Sequence, residues 1–132
     1  MKKTLKVLGI LAAVLALVFF GGLFIIRSQA QKALATLTYE KVDMENAADG
    51  EYEGLANAGI LQVTVKVTVK DHAIAGIAIL THNSGMGQKA EAITAAMVSA
   101  NTFQVDAVSG ATLSSEAIKS AVSKALNKSC QQ

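Results

Sequence analysis

The sequence predicts an α+β domain, a largely antiparallel sheet packed by two helices, preceded by one N-terminal transmembrane helix. Three observations predict it. Residues 7–26 are an unbroken apolar run, residues 61–70 alternate strictly between apolar and polar, and residues 115–126 repeat apolar residues at helical spacing. Strands followed by helices behind a membrane-length run sum to that class.

The apolar run reads VLGILAAVLALVFFGGLFII, without a charge. At about 1.5 Å per residue, a helix of this length crosses a hydrocarbon core of about 30 Å. Lys2, Lys3 and Lys6 precede the run, and only Arg27 and Lys32 follow it closely. The positive-inside rule then predicts a single pass through the cell membrane, with the N-terminus cytoplasmic and the domain extracytoplasmic. The alternative is a signal peptide cleaved near Ser28-Gln29-Ala30, which leaves a secreted domain. The run exceeds the usual apolar core of about 7–15 residues, and Arg27 crowds that cleavage site, which favours the anchor. Either reading exports the domain. The expected organisation is an anchor over 1–27, a stalk over 28–47 and a folded domain over 48–132.

Charge divides at the same boundary. The first 32 residues hold five basic residues and no acid, so the other 100 carry seven basic and ten acidic residues, a net of −3. The sequence pI near 8.7 belongs to the anchor. No basic patch suggests nucleic acid. Cys130 is the only cysteine, which excludes an internal disulfide and a cysteine metal cluster; it is expected as a free thiol on a frayed tail. No histidine or carboxylate cluster has metal-ligand spacing.

The elements follow in order. Residues 27–37, rich in Ala, Gln and Lys, extend the membrane helix. Asp49-Gly50 is a turn signal. Glu51–Ala56 pairs as a first strand. Leu61–Lys70 is the clearest strand, with odd positions buried and even positions wet. Asp71-His72 makes a tight turn into Ala73–Leu80, which is apolar on both faces and is therefore expected to be central. A loop from Thr81 to Gly87 leads to a helix over Gln88–Ala100, with Ala90, Ile93, Ala96 and Met97 on its inner face. Phe103, Val105 and Val108 suggest a short strand or extended segment. The closing helix, Ser115–Leu126, buries Ile118, Ala121, Val122, Ala125 and Leu126, with Ser114 as its expected N-cap.

The residues that carry chemistry precede that last helix: Asp106-Ala107-Val108-Ser109-Gly110-Ala111-Thr112. Ser109, Gly110 and Ala111 are small, so an outside group can approach the backbone. The first amides of a helix lack intrahelical partners and favour an anion, most often phosphate. Thr112 adds a hydroxyl at that place. Local chemistry alone leaves two readings open: a phosphate site beside a hydroxyl, or a Thr or Ser capping an ordinary helix after a glycine turn.

VDAVSGAT resembles the D-x-x-[ST]-G-A-[TS] signature of the FMN-binding domain family. The resemblance continues in Asp49-Gly50-Glu51-Tyr52-Glu53-Gly54, in the hairpin around Asp71-His72-Ala73-Ile74, and in the helix from Leu113 to Leu126. It covers roughly residues 48–127. It implies that a flavin transferase joins FMN to Thr112 through a phosphoester, that Ser109, Gly110 and Ala111 wrap the phosphate, and that Asp106 belongs to the signature the transferase reads. The loop His82-Asn83-Ser84-Gly85-Met86-Gly87 resembles the family's H-x-E-T-P-G-x-G loop near the flavin, although it is shorter and lacks the Pro and the acid-Thr pair. The resemblance brings His82, Gly85 and Gly87 to the cofactor. His82 reads equally as a flavin-site residue or as a solvated loop histidine, and the two glycines as close-approach positions or as the end of a strand and start of a helix. Tyr52, Phe103 and Met86 are the available surfaces for the flavin ring.

The expected function is electron transfer by a membrane-anchored flavoprotein domain. About 80 folded residues leave little room for both flavin and a substrate pocket, which favours a carrier or subunit of an oxidoreductase over a complete enzyme. Redox donor and acceptor proteins, or a quinone-linked complex, are the implied partners. The alternatives are a module that holds FMN noncovalently or in a regulatory role, and a structural domain with an ordinary capped helix.

Overall fold

The computed structural model describes residues 1–59, 61–83 and 87–132. Its elements are α1 (Lys2–Thr36), β1 (Gly50–Ala58), β2 (Leu61–Lys70), β3 (Ala73–His82), α2 (Ile93–Ala100) and α3 (Thr112–Cys130), with 3-10 turns at Met44–Asn46 and Gly87–Ala92. The chain divides into two units, Met1–Lys32 and Ala33–Gln132. The first is helix alone. It buries no residue, has a mean hydropathy of 2.8 over its most apolar stretch, and is long enough to span a membrane.

In the second unit the three strands form one antiparallel sheet in the order β1-β2-β3. The expected α+β class and the antiparallel sheet hold. β2 occupies 61–70 as its alternation requires: Leu61, Val63, Val65, Val67 and Val69 are buried, and Gln62 and Lys70 are exposed. β2, not β3, is the central strand. β3 is an edge strand, and its apolar residues on both faces have another cause. The pairing with β2 slips between Thr64 and Val65 and between Thr68 and Val69, which leaves Leu80 and Ala75 as extra residues on β3. Each bulge re-phases the strand. Ile74, Ile77, Ile79 and His82 therefore oppose the inward valines Val69, Val67, Val65 and Val63, while Ala75, Ala78 and Leu80 stay exposed. Bulges are also a common way to blunt an edge. The Asp71-His72 turn is as expected: both residues have positive φ, 52° and 59°, the geometry of a two-residue hairpin. The carboxylate of Asp49 accepts the Asp71 N–H at 2.8 Å and ties the start of β1 to this turn.

Both helices pack on one face of the sheet, α3 on β1 and β2 and α2 on β3. The segment expected as one helix over 88–100 is a 3-10 turn followed by a short α2. Ala90, Ile93 and Met97 are buried, but Ala96 is exposed, because Ile93 and Met97 stand one turn apart on the narrow buried stripe of α2 and Ala96 falls about 100° to one side of Met97. The expected short strand around 103–108 is irregular chain. Asn101 ends α2 with φ 52°, and its side chain accepts the Ile74 N–H at 2.8 Å, locking α2 to the start of β3.

α3 is longer than the apolar period suggests, 19 residues instead of 12. Its apolar face, Ala117, Ile118, Ala121, Val122, Ala125 and Leu126, is fully buried. Gly54 of β1 is the contact point: a Cβ there would lie 1.8 Å from the Ala121 carbonyl oxygen. Only glycine lets helix and strand approach this closely. On a neighbouring face, Lys124 and Lys128 donate to the carbonyls of Leu55 and Glu53 on the outer edge of β1.

A second face of α3 is polar and equally covered. The Ser120 hydroxyl donates to the Thr38 carbonyl at 2.5 Å, the Glu40 N–H donates to Ser123 Oγ at 3.2 Å, Asn127 donates to the Lys41 carbonyl at 2.8 Å, and Cys130 Sγ donates to the Asp43 carbonyl at 3.1 Å. These positions recur every three or four residues, one stripe of a helix. Residues 38–48 thus run as a strap along α3, ending where the Ala48 N–H meets the Ser129 carbonyl. Cys130 is the last helical residue, half-buried under this strap rather than on a frayed tail.

Candidate functional site

Four residues, Val108 to Ala111, turn the chain into α3. The Ala111 N–H donates to the Val108 carbonyl at 3.0 Å, and Gly110 has φ 81°. This is a turn whose third residue must have positive φ, so Gly110 is there for its backbone. The space where its Cβ would stand is open. Ser109 and Gly110 are exposed, Ala111 is buried, and Asp106 is exposed on the approach.

The helix then starts three residues before the expected Ser115. Its N-cap is Ala111, which makes no side-chain capping bond. Ser114 is buried and does not cap the helix. Ser115 instead braces the turn from inside. Its hydroxyl accepts the Val108 N–H at 2.9 Å and donates to the Ala111 carbonyl at 2.8 Å. Thr112 is the first residue of α3 and is exposed. The first-turn amides have no carbonyl one turn before them, and among the described residues no side chain caps them. The ordinary capped-helix reading of Thr112 and Ser114 therefore does not describe this terminus. The residues present fit an esterified phosphate: a small-residue turn, a hydroxyl at the first helical position, and uncapped amides with the positive end of a dipole beside it.

His82 sits on another element. The bulge at Leu80 turns it inward, its side chain is only 2% exposed, and Nδ1 lies 3.0 Å from Glu91 Oε1 on the 3-10 turn after β3. Nε2 is buried with no hydrogen-bond partner among the described residues. The solvated-loop reading of His82 is thus replaced by a buried imidazole with one open nitrogen. Gly87 opens the 3-10 turn. Gly85 and Met86 lie outside the described residues. α3 runs antiparallel to β1, with Ser129 at Ala48, Lys128 at Glu53 and Ala121 at Gly54. Its N-terminus thus points toward the end of the sheet where β3 finishes, and α3 packs on the turn that carries Glu91. Thr112 and His82 share an end of the domain, but His82 is held by Glu91 and not by the 106–112 loop.

Of the ring surfaces, Tyr52 is held at the start of β1 by its hydroxyl, which donates to the Ala48 carbonyl at 3.1 Å. Phe103 is buried and stacks on Tyr39, with ring centroids 6.2 Å apart and planes 12° apart. The Tyr39 hydroxyl donates to Glu116, whose other oxygen lies 3.1 Å from Lys119 Nζ. Partial burial first, then the hydrogen bond to Glu116 and its negative charge, push the Tyr39 phenol well above its usual range. These residues line an open cleft of about 530 Å³. Tyr39 and Glu116 were not singled out by the sequence. Tyr39 lies in a polar stretch without periodicity, and an acidic residue such as Glu116 is commonplace near the positive end of a helix dipole.

No curated protein sequence matches the chain. The family model of the FMN-binding domain matches residues 59–127, from the β1–β2 turn to the end of the buried face of α3. The Asp49–Gly54 motif lies outside that match, and the 106–112 turn and His82 lie inside it. With more than half of its length covered by that model, the chain belongs to the FMN-binding domain family.

Proposed function

We propose that this protein is a membrane-anchored flavoprotein that carries FMN covalently, as a phosphoester of Thr112, on the extracytoplasmic side, and works in electron transfer. The observation that carries the reading is the start of α3, where Ala111 leaves the first amides uncapped and Thr112 stands exposed beside them. A phosphodiester retains one negative charge, which those amides and the helix dipole stabilise. Gly110 turns the chain so that the phosphate meets backbone and not side chains. Asp106 is accessible, as recognition by a flavin transferase requires. His82, whose buried Nε2 has no hydrogen-bond partner among the described residues, is the second residue that the resemblance brings to the cofactor. The flavin supplies the one- and two-electron chemistry; the chain supplies attachment, position and electrostatics. Covalent attachment suits an exported domain, since a loosely held cofactor would be lost. The apolar length of α1 and the lysines before it support the anchor and its direction.

The test is expression with a flavin transferase, followed by a denaturing gel read for flavin fluorescence and mass spectrometry of the peptide containing residue 112. Fluorescence in the wild-type band, absent in Thr112→Val, is expected. Flavin released on denaturation would favour the noncovalent module, and no flavin would sink both. Protease added to intact cells or spheroplasts should reach the domain if it lies outside.

A further inference from the structure

We propose that residues 38–46 are a releasable strap. Latched by Leu37 and hinged at Ala47, the segment lets go of α3 while the domain stays folded, and so lengthens the tether to the anchor. The strap lies outside the residues that the family model matches. Leu37 and Ala47 are buried, but no side chain between them is. Val42 and Met44 are half-buried, and the others are exposed. The strap meets α3 mainly through its own backbone. The carbonyls of Thr38, Lys41 and Asp43 accept from Ser120, Asn127 and Cys130, and the Glu40 N–H donates to Ser123. Tyr39 adds a side-chain bond to Glu116 and a stack on Phe103. Few buried apolar contacts and exposed backbone hydrogen bonds are the marks of a segment that opens locally, at less cost than global unfolding.

Release strands no polar group. The Ser123 hydroxyl also donates to the Ser120 carbonyl at 2.8 Å, and the Ser129 hydroxyl to the Leu126 carbonyl at 2.6 Å. Both therefore keep a partner within the helix. Ser120, Asn127 and the strap carbonyls turn to water, which replaces such bonds at small net cost. At the hinge end, Asp43 caps the Met44–Asn46 turn from within. It accepts the Glu45 N–H at 3.2 Å and the Asn46 side-chain amide at 2.8 Å, so this turn keeps its shape. α3 stays in place, because its apolar face remains buried and Lys124 and Lys128 remain on the β1 edge. Leu37 is the latch: it is the last buried side chain before Ala47, with Ala33 and Leu34 only half-buried behind it. The nine residues, extended, span at most about 30 Å. On the electron-transfer reading, this reach serves a carrier that meets donor and acceptor in turn. The release itself does not rest on that reading.

Cys130, the only cysteine, lies half-buried under the strap and is a built-in reporter. The experiment uses the full chain in detergent. It measures maleimide labelling of Cys130, and hydrogen exchange of the Glu40 amide against the amides of β2, in urea below the unfolding transition. Glu40 is expected to be protected about a hundredfold less than β2, or less still. Its exchange and the labelling should depend only weakly on urea, because little surface opens. Leu37→Ser is expected to leave Glu40 almost unprotected while β2 stays protected. Wild-type Glu40 exchanging as slowly as β2 would overturn the inference, as would a Leu37→Ser chain in which strap and sheet lose protection together. Rapid labelling of Cys130 beside a protected Glu40 would mark fraying at the end of α3 alone, and would overturn it as well. None of these readouts needs flavin, so a failure of attachment or of electron transfer is seen separately.

Discussion

From Ala117 to Ser129, α3 is fixed on three sides: an apolar face against β1 and β2, lysines on the β1 edge, and a polar stripe under the 38–48 strap. From Ala111 to Thr112 the same helix has no cap, a turn of small residues and an exposed hydroxyl. The covered part cannot accept a ligand without losing core or hydrogen bonds. The open part has no capping side chain among the described residues, and Ser115 braces it from beneath. A rigid helix thus presents an open end, the arrangement that the proposed attachment needs, with both access and fixed position.

The rigid end of α3 is the more sensitive to substitution. Gly54→Ala forces a methyl group to within 1.8 Å of the Ala121 carbonyl, so α3 must leave the sheet. We expect a loss of about 3 kcal/mol or more in urea denaturation, with flavin loading lost alongside. The strap is next. Ser120→Ala combined with Ser123→Ala removes two bonds to residues 38–40, each worth about 1 kcal/mol. Faster limited proteolysis within 38–47 is the expected sign, with attachment retained. Gly110→Ala places a methyl at φ 81°, costing about 1 kcal/mol, and should slow attachment because the turn is re-aimed.

Thr112→Val should be the mildest in stability, within about 0.5 kcal/mol, while attachment falls to nothing; a large drop in melting temperature would show that the hydroxyl serves the fold. The smallest effect is at alkaline pH. The Tyr39 phenol is raised in the folded state by burial and by Glu116, so the folded protein holds this proton more tightly than the unfolded chain. Its contribution is complete below about pH 10 and is lost as pH rises above that. Tyr39→Phe should flatten this part of the stability profile in alkaline urea titrations.

Much of this could be read from the residues in order. The alternation in β2, the Asp71-His72 turn, the apolar face of α3 and the turn before it are local patterns, and local patterns report backbone geometry directly. β3 shows where this stops. Its apolar residues on both faces signalled a central strand, but two bulges on an edge strand produce the same composition. Bulges depend on what the partner strand offers, and no single strand encodes them. The start of α3 was displaced for a similar reason: Ser114 and Ser115 have the composition of a cap, yet Ser115 is spent on the Val108 N–H. The strap was invisible, because a hydrogen bond from Ser120 to Thr38 spans 82 residues.

The sequence by itself determined the anchor-length helix, the hairpins, the buried face of α3 and the Ser109-Gly110-Ala111-Thr112 turn, since each depends on side chains a few residues apart. Only the tertiary structure decided that β3 lies at the edge, that His82 points inward, that Ala111 and no hydroxyl caps α3, and that Tyr39 reaches Glu116. Those outcomes follow from packing and from which distant polar groups satisfy one another, and such competitions are settled only when all the elements meet.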